Sequence, residues 1–127
     1  MAGEKILLIE DNVVNRELIQ FLLGSQGYQV REAATAEDAF EILKTERPDL
    51  IVMDVQLPGM DGLEAAKKLK EDPATRDIPV VAVTSYAMKG DRERALAAGC
   101  ADYITKPIDR TTFLQQVAAQ LTSRAKA

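Results

Sequence analysis

Five charged or hydroxyl side chains lie at the carboxyl ends of four predicted strands. They are Glu10, Asp11, Asp54, Thr84 and Lys106. Each of them, taken singly, also fits a structural role such as a helix cap or the end of a strand. Because right-handed crossovers place the carboxyl ends of parallel strands along one edge of a sheet, we expect all five to meet there. Their combination therefore predicts a functional site at that edge.

The three carboxylates of this set favour a divalent cation. Two unit charges about 4 Å apart repel each other by about 4 kcal/mol at an effective dielectric constant of about 20. Mg²⁺ prefers oxygen ligands and retains positions that a phosphate can occupy. With Mg²⁺ and Lys106 neutralising the charge, Asp54 could attack a phosphoryl group and form an aspartyl phosphate. Thr84 would donate a hydrogen bond to a phosphate oxygen.

Predicted strands and helices alternate regularly along the chain. Apolar runs predict strands at residues 5–9, 50–54 and 78–83, and shorter segments predict strands at 28–33, where apolar and polar residues alternate, and at 102–104. Five amphipathic segments predict helices, with Thr35, Asp61 and Asp109 as caps. Such alternation predicts an α/β fold, a doubly wound five-stranded parallel sheet with helices on both faces. We adopt for it the known flavodoxin-like strand order 2-1-3-4-5, in which strands 1 and 3 are neighbours.

The first predicted helix has a clear apolar pattern. Val14, Leu18, Phe21 and Leu22 are spaced i, i+4, i+7 and i+8, so we expect them to share the apolar face of an amphipathic helix. Gly27 suits the end of this helix.

Composition excludes several classes of function. The 127 residues predict a single domain, residues 1–127, with no output domain attached. The net charge of -4 and the lack of a basic run argue against direct binding to nucleic acid. The chain has no histidine, which excludes a Ser-His-Asp triad, His-ligated zinc and a histidine phosphorelay within the chain. With one cysteine, Cys100, and no signal peptide or membrane helix, we expect a cytoplasmic protein.

Four motifs resemble those of the receiver domain of two-component response regulators. They are Glu-Asp-Asn at 10–12, Met-Asp-Val-Gln-Leu-Pro-Gly-Met-Asp-Gly at 53–62, Pro-Val-Val-Ala-Val-Thr at 79–84 and Tyr-Ile-Thr-Lys-Pro at 103–107. The similarity covers almost the whole chain. Single-domain regulators of the DivK type are particularly similar, through a first motif that extends to Asn15 and through residues 87–91. Receivers of hybrid kinases share much of this pattern.

The resemblance implies a role for each site residue. Asp54 would accept a phosphoryl group from the phosphohistidine of a sensor histidine kinase or a histidine phosphotransfer protein. The ligands of Mg²⁺ would be Glu10, Asp11, Asp54 and the backbone carbonyl of Gln56. Lys106 would pair with the phosphate, and its peptide bond to Pro107 is commonly cis in the family.

The resemblance also implies a switch. Thr84 and Tyr103 match a pair in which the hydroxyl moves toward the phosphate and the aromatic ring then turns inward. The surface of helix 4, strand 5 and helix 5 would change its affinity for a downstream protein effector. Such a chain is a phosphoacceptor, catalysing only its own phosphorylation and slow dephosphorylation, and is a monomer or a phosphorylation-dependent dimer. The side chains of Gln56 and Tyr86 match positions that influence the lifetime of the acyl phosphate.

Three other functions fit parts of the sequence. A phosphatase of the haloacid-dehalogenase type would carry an acid two residues after its nucleophile, where this chain has Gln56. An FMN carrier with the same topology would have a Ser-, Thr- or Gly-rich phosphate loop after the first strand, where this chain has acids. An adaptor that kept the receiver fold without being phosphorylated is the third.

Overall fold

Five strands and five helices alternate along the chain in a computed structural model, which describes residues 3–84 and 90–126. Side chains are described for these residues except 91 and 123–126. The strands are β1 (Lys5–Ile9), β2 (Gln29–Ala33), β3 (Leu50–Asp54), β4 (Val80–Thr84) and β5 (Asp102–Thr105). The helices are α1 (Val13–Gly24), α2 (Ala36–Leu43), α3 (Gly62–Glu71), α4 (Asp91–Ala97) and α5 (Arg110–Lys126).

The strands form one parallel sheet in the order β2-β1-β3-β4-β5. This confirms the predicted doubly wound fold and its strand order. Ile9 is in register with Met53, and Asp54 is in register with Val83. The carboxyl ends of β1, β3 and β4 are therefore level with one another, and β1 and β3 are neighbours where the strand order reverses.

The helices cover both faces of the sheet, and successive strand residues point to opposite faces. Leu7, Ile9, Ile51 and Met53 belong to a core cluster that includes residues of α2, α3 and α4. The alternate strand residues belong to a second cluster with residues of α1 and α5, which includes Phe113 and Val117 of α5. Because β3 and β4 are fully buried on both faces, their sequences are continuous apolar runs.

Side-chain caps begin the helices as the sequence predicts. Thr35 Oγ1 accepts a hydrogen bond from the Asp38 N–H at 3.0 Å, and Asp61 Oδ1 accepts one from the Glu64 N–H at 2.9 Å. Asp109 Oδ2 accepts from the Thr112 N–H at 2.9 Å. These caps fix where α2, α3 and α5 begin, and so the lengths of the loops before them.

The prediction for the apolar face of α1 was wrong for three of its four residues. Val14, Leu18 and Phe21 are 73%, 47% and 69% exposed, whereas Leu22 is buried as expected. The buried residues of α1 are Ile19, Leu22 and Leu23. The helix carries two overlapping apolar stripes, and the sheet covers the one centred on Ile19. The other stripe lies at the surface.

Among the helices within residues 3–84 and 90–126, none combines the length and the apolar character that crossing a bilayer requires.

Candidate functional site

Three carboxylates meet at the carboxyl edge of the sheet. Asp54 is the last residue of β3 and is 5% exposed, while Glu10 follows β1 and is 1% exposed. Asp11, the next residue, is exposed. One carboxylate oxygen from each of the three lies within 4.8 Å of the others. The structure thus brings together the acids that the sequence placed at the ends of neighbouring strands.

Lys106 lies directly against two of these carboxylates. Its Nζ is 2.9 Å from Glu10 Oε1 and 3.1 Å from Asp54 Oδ2. The Lys106 side chain is mostly buried, and its backbone N–H donates to the carbonyl of Thr84 at 2.7 Å. The peptide bond between Lys106 and Pro107 is cis, as the family resemblance implies. Lys106 therefore offers a fixed positive charge beside Asp54.

The electrostatics of the site favour a cation. Burial, followed by the hydrogen bond to Asp54, raises the pKa of Glu10 to about 7, although Lys106 acts in the opposite direction. Burial by itself would lower the pKa of Lys106, but its hydrogen bonds to Glu10 and Asp54, together with their charges, raise it. Around neutral pH, the carboxyl group of Glu10 is therefore partly protonated, and a bound cation would displace this proton.

The donor set fits Mg²⁺. Carboxylate oxygens are the hard ligands that this ion prefers, and three of them converge here from Glu10, Asp11 and Asp54. Asp11 is exposed, so one side of the cluster is open to solvent and to a phosphate. Gln56, whose backbone carbonyl is the expected fourth protein ligand, lies in the loop directly after β3.

Gln56 joins two of the predicted site residues. Its backbone N–H donates to Asp54 Oδ1 at 2.9 Å, and its side-chain Nε2 donates to Thr84 Oγ1 at 2.6 Å. Thr84 ends β4 and is only 2% exposed. The contact between Gln56 and Thr84 was not predicted. Sequence spacing does not determine which rotamers a loop residue and a strand-end residue adopt.

Tyr103, the second member of the expected switch pair, lies in β5 and is half-buried against the core cluster of α2, α3 and α4. It is in register with Ala82 of β4, two residues before Thr84. Tyr86 and residues 87–89 of the DivK-like pattern lie outside the described residues.

Arg16 is a site residue that the sequence analysis missed. Its Nη1 donates to the backbone carbonyl of Glu10 at 2.9 Å, and its Nε is 3.8 Å from Glu32 Oε1. The sequence signal that could have identified it is a basic residue in the first turn of the helix that follows Glu10 and Asp11. Arg16 fixes the loop between β1 and α1, which carries Glu10 and Asp11.

The loop after β3 depends on a close approach at Gly62. A Cβ atom there would lie 2.6 Å from the carbonyl oxygen of Asp54 and 2.7 Å from Val55 Cα. The Gly62 N–H donates to the Val55 carbonyl at 2.8 Å. The absent side chain lets α3 begin directly against the end of β3, and the turn holds Asp54 and Gln56 in place.

Comparison with known proteins agrees with this geometry. The sequence model of one protein family, the response regulator receiver domain, matches residues 6–118. The polar-differentiation response regulator DivK of Brucella anthropi is 42% identical over 118 residues, which cover 93% of this chain and 96% of that protein.

Two solved receiver domains of histidine kinases are also similar. One is the receiver domain of a sensor histidine kinase from Pseudomonas aeruginosa, which has a magnesium ion coordinated in its active-site cleft. It is 37% identical to this chain with a TM-score of 0.87, and the match covers 95% of this chain and 99% of that one. The receiver domain of a Syntrophus aciditrophicus signal transduction histidine kinase is 34% identical with a TM-score of 0.89, covering 95% and 92%. By its sequence, its fold and the acids and lysine at its sheet edge, this chain belongs to the family of response regulator receiver domains.

Proposed function

We propose that Asp54 is the phosphoacceptor of a two-component phosphorelay. The observation that carries the proposal is the position of Lys106 Nζ, between Glu10 and Asp54 and 3.1 Å from Asp54 Oδ2. A structural ion pair would need only one carboxylate, whereas here the ammonium group contacts two, and a third carboxylate, that of Asp11, lies close to both of them. This arrangement suits the transfer of an anionic group to Asp54.

The transfer begins with a phosphohistidine of a sensor histidine kinase or a histidine phosphotransfer protein. An oxygen of Asp54 attacks the phosphorus atom, the bond between phosphorus and the imidazole nitrogen breaks, and its electron pair stays on that nitrogen. Lys106 holds positive charge beside the phosphoryl oxygens during the step. Bound Mg²⁺ would supply further charge neutralisation and orient the phosphate. The residues that would hold it are Glu10, Asp11, Asp54 and the Gln56 carbonyl.

Phosphorylation then shifts the population between two arrangements of the chain. Thr84, at the end of β4, donates to a phosphoryl oxygen, and Tyr103 of neighbouring β5 responds by turning inward. The surface of α4, β5 and α5 changes with them and binds a downstream protein. Support comes from the direct pairing of β4 with β5, where Thr84 is in register with Thr105.

The exposed apolar stripe of α1 is the surface on which the phosphohistidine donor docks. It consists of Val13, Val14, Leu18 and Phe21, and it starts two residues after Asp11. The donor must bring its phosphohistidine to Asp54 at the same edge of the sheet. A patch of exposed apolar side chains that adjoins this edge favours burial against a partner.

The same proposal covers the remaining properties of the chain. The chain does not hydrolyse free phosphomonoesters, because the position of the general acid is taken by Gln56, whose side-chain amide donates a hydrogen bond to Thr84. The chain is a monomer or a phosphorylation-dependent dimer, binds no nucleic acid directly, and works in the cytoplasm, where its buried free thiol, Cys100, stays reduced.

The test is incubation with acetyl phosphate and Mg²⁺, followed by intact-mass measurement. Wild type should gain one phosphoryl group, and chelation of Mg²⁺ should prevent the gain. Asp54→Ala should remain unlabelled, whereas Asp77→Ala, a change of an exposed loop acid, should be labelled like wild type. Equal labelling of Asp54→Ala and wild type would refute the proposal.

A further inference from the structure

Gln56 makes two hydrogen bonds that join the proposed phosphoacceptor to the end of the neighbouring strand. Its backbone N–H bonds Asp54 Oδ1 at 2.9 Å, and its side-chain amide bonds Thr84 Oγ1 at 2.6 Å. Asp54 is in register with Val83, the residue before Thr84. Gln56 is thus in contact with both the nucleophile and the hydroxyl on the adjacent strand.

The direction of the second hydrogen bond determines what the Thr84 hydroxyl can do. The amide nitrogen of Gln56 only donates, so Thr84 Oγ1 is the acceptor in this contact. A hydroxyl that accepts through its oxygen keeps its own proton for donation to another group. A phosphoryl group on Asp54 offers charged oxygens, which accept stronger hydrogen bonds than neutral groups do. Gln56 therefore leaves Thr84 as a donor toward such a group.

Burial makes this orientation persistent. Thr84 is 2% exposed and Gln56 is half-buried, so solvent is poorly placed to replace the amide as the donor to Thr84 Oγ1. The backbone bond to Asp54 Oδ1 also holds Gln56 itself in the loop after β3. The amide is thus fixed relative to the carboxylate that would carry the phosphoryl group.

We propose that Gln56 is a positioning residue for the switch, whose side-chain amide orients the Thr84 hydroxyl to donate to a phosphoryl group on Asp54. This inference rests on the proposed function, since it requires a phosphoryl group at Asp54. One hydrogen bond of this kind changes an equilibrium by about two- to tenfold. Because Gln56 acts through Thr84, its effect should disappear when the hydroxyl is removed.

The test is a double-mutant cycle of Gln56→Met and Thr84→Val. The readout is the affinity for beryllofluoride, an analogue of a phosphoryl group on a carboxylate, in the presence of Mg²⁺. Gln56→Met should weaken binding by about two- to tenfold when Thr84 is present. In the Thr84→Val background the same change should leave the affinity unaltered. The matched control, Gln29→Met on exposed β2, should bind like wild type.

A second readout needs neither metal nor phosphate. In the metal-free protein, Thr84→Val should shift the NMR signals of the Gln56 side-chain amide and speed its exchange with water. Unshifted signals, equal weakening by Gln56→Met in both backgrounds, tighter binding, or no effect with Thr84 present would each overturn the inference. If wild type bound no beryllofluoride, the proposed function itself would fail, a result distinct from all of these.

Discussion

Lys106 Nζ lies 3.1 Å from Asp54 Oδ2, across a sequence separation of 52 residues. The same ammonium group is 2.9 Å from Glu10 Oε1, so one buried cation serves two buried carboxylates. Removing it leaves carboxylates that are costly to keep charged.

Lys106→Met should therefore destabilise the metal-free protein by about 3 kcal/mol at about pH 8. The loss should be smaller at about pH 5, because the carboxyl group of Glu10, whose pKa is raised to about 7, is then protonated and needs no counter-charge. Urea denaturation at both pH values measures the difference. Lys67→Met, which changes an exposed lysine of α3, should cost little at either pH. A pH-independent loss would contradict the ion-pair interpretation.

Binding of Mg²⁺ should be coupled to the release of a proton. The pKa of Glu10 in the folded protein is raised to about 7 from an ordinary 4.5, so folding favours its neutral form. The resulting penalty on stability is absent below the ordinary pKa, grows between pH 4.5 and about 7, and is constant above that. Affinity for Mg²⁺ should rise by up to about tenfold per pH unit over this range and level off above it.

Calorimetry in two buffers of different ionisation enthalpy detects that proton release. Glu10→Gln cannot release the proton, and its affinity for Mg²⁺ should be lower and nearly independent of pH. An equally steep pH dependence in Glu10→Gln would show that another group titrates.

Phe21→Ala should slow phosphorylation by a protein donor without affecting phosphorylation by acetyl phosphate. Phe21 is 69% exposed, so its truncation should change the free energy of unfolding by less than about 0.5 kcal/mol. The measurement is the rate of transfer from a phosphorylated histidine phosphotransfer domain that serves wild type. Leu96→Ala, an exposed leucine on α4, is the matched control and should transfer normally. Equal rates for Phe21→Ala and wild type would exclude the α1 stripe as the docking surface.

Gly62→Ala should destabilise the protein by about 1–3 kcal/mol, because the added Cβ collides with backbone atoms that cannot move independently of the site. Gly24→Ala is the control, since a Cβ at the end of α1 meets nothing within 4 Å. That change should be neutral or should stabilise by up to about 1 kcal/mol. The free energies of unfolding from urea titration compare the two. A tolerated Gly62→Ala would mean that the loop after β3 adapts easily.

Much of the fold and site could be predicted because buried parallel strands leave a strong pattern. The apolar runs that end at Glu10 and Asp54 identify both the strands and their functional ends. The exposure of the apolar stripe of α1 could not be predicted, since periodicity detects an apolar face but does not show whether the sheet or another protein covers it. The hydrogen bond between Gln56 and Thr84 could not be predicted because it depends on side-chain rotamers. The contact of Arg16 with Glu10 depends on the direction that α1 takes after β1, which the sequence pattern does not specify.

The position of the phosphoryl group shows directly whether Asp54 is the phosphoacceptor. Wild-type protein labelled with acetyl phosphate and Mg²⁺ is fragmented in the gas phase, and the fragments that carry the added mass are identified. We expect the phosphoryl group on Asp54 alone. A phosphoryl group on Glu10, on Asp11 or on the Thr84 hydroxyl, with Asp54 unmodified, would contradict this expectation.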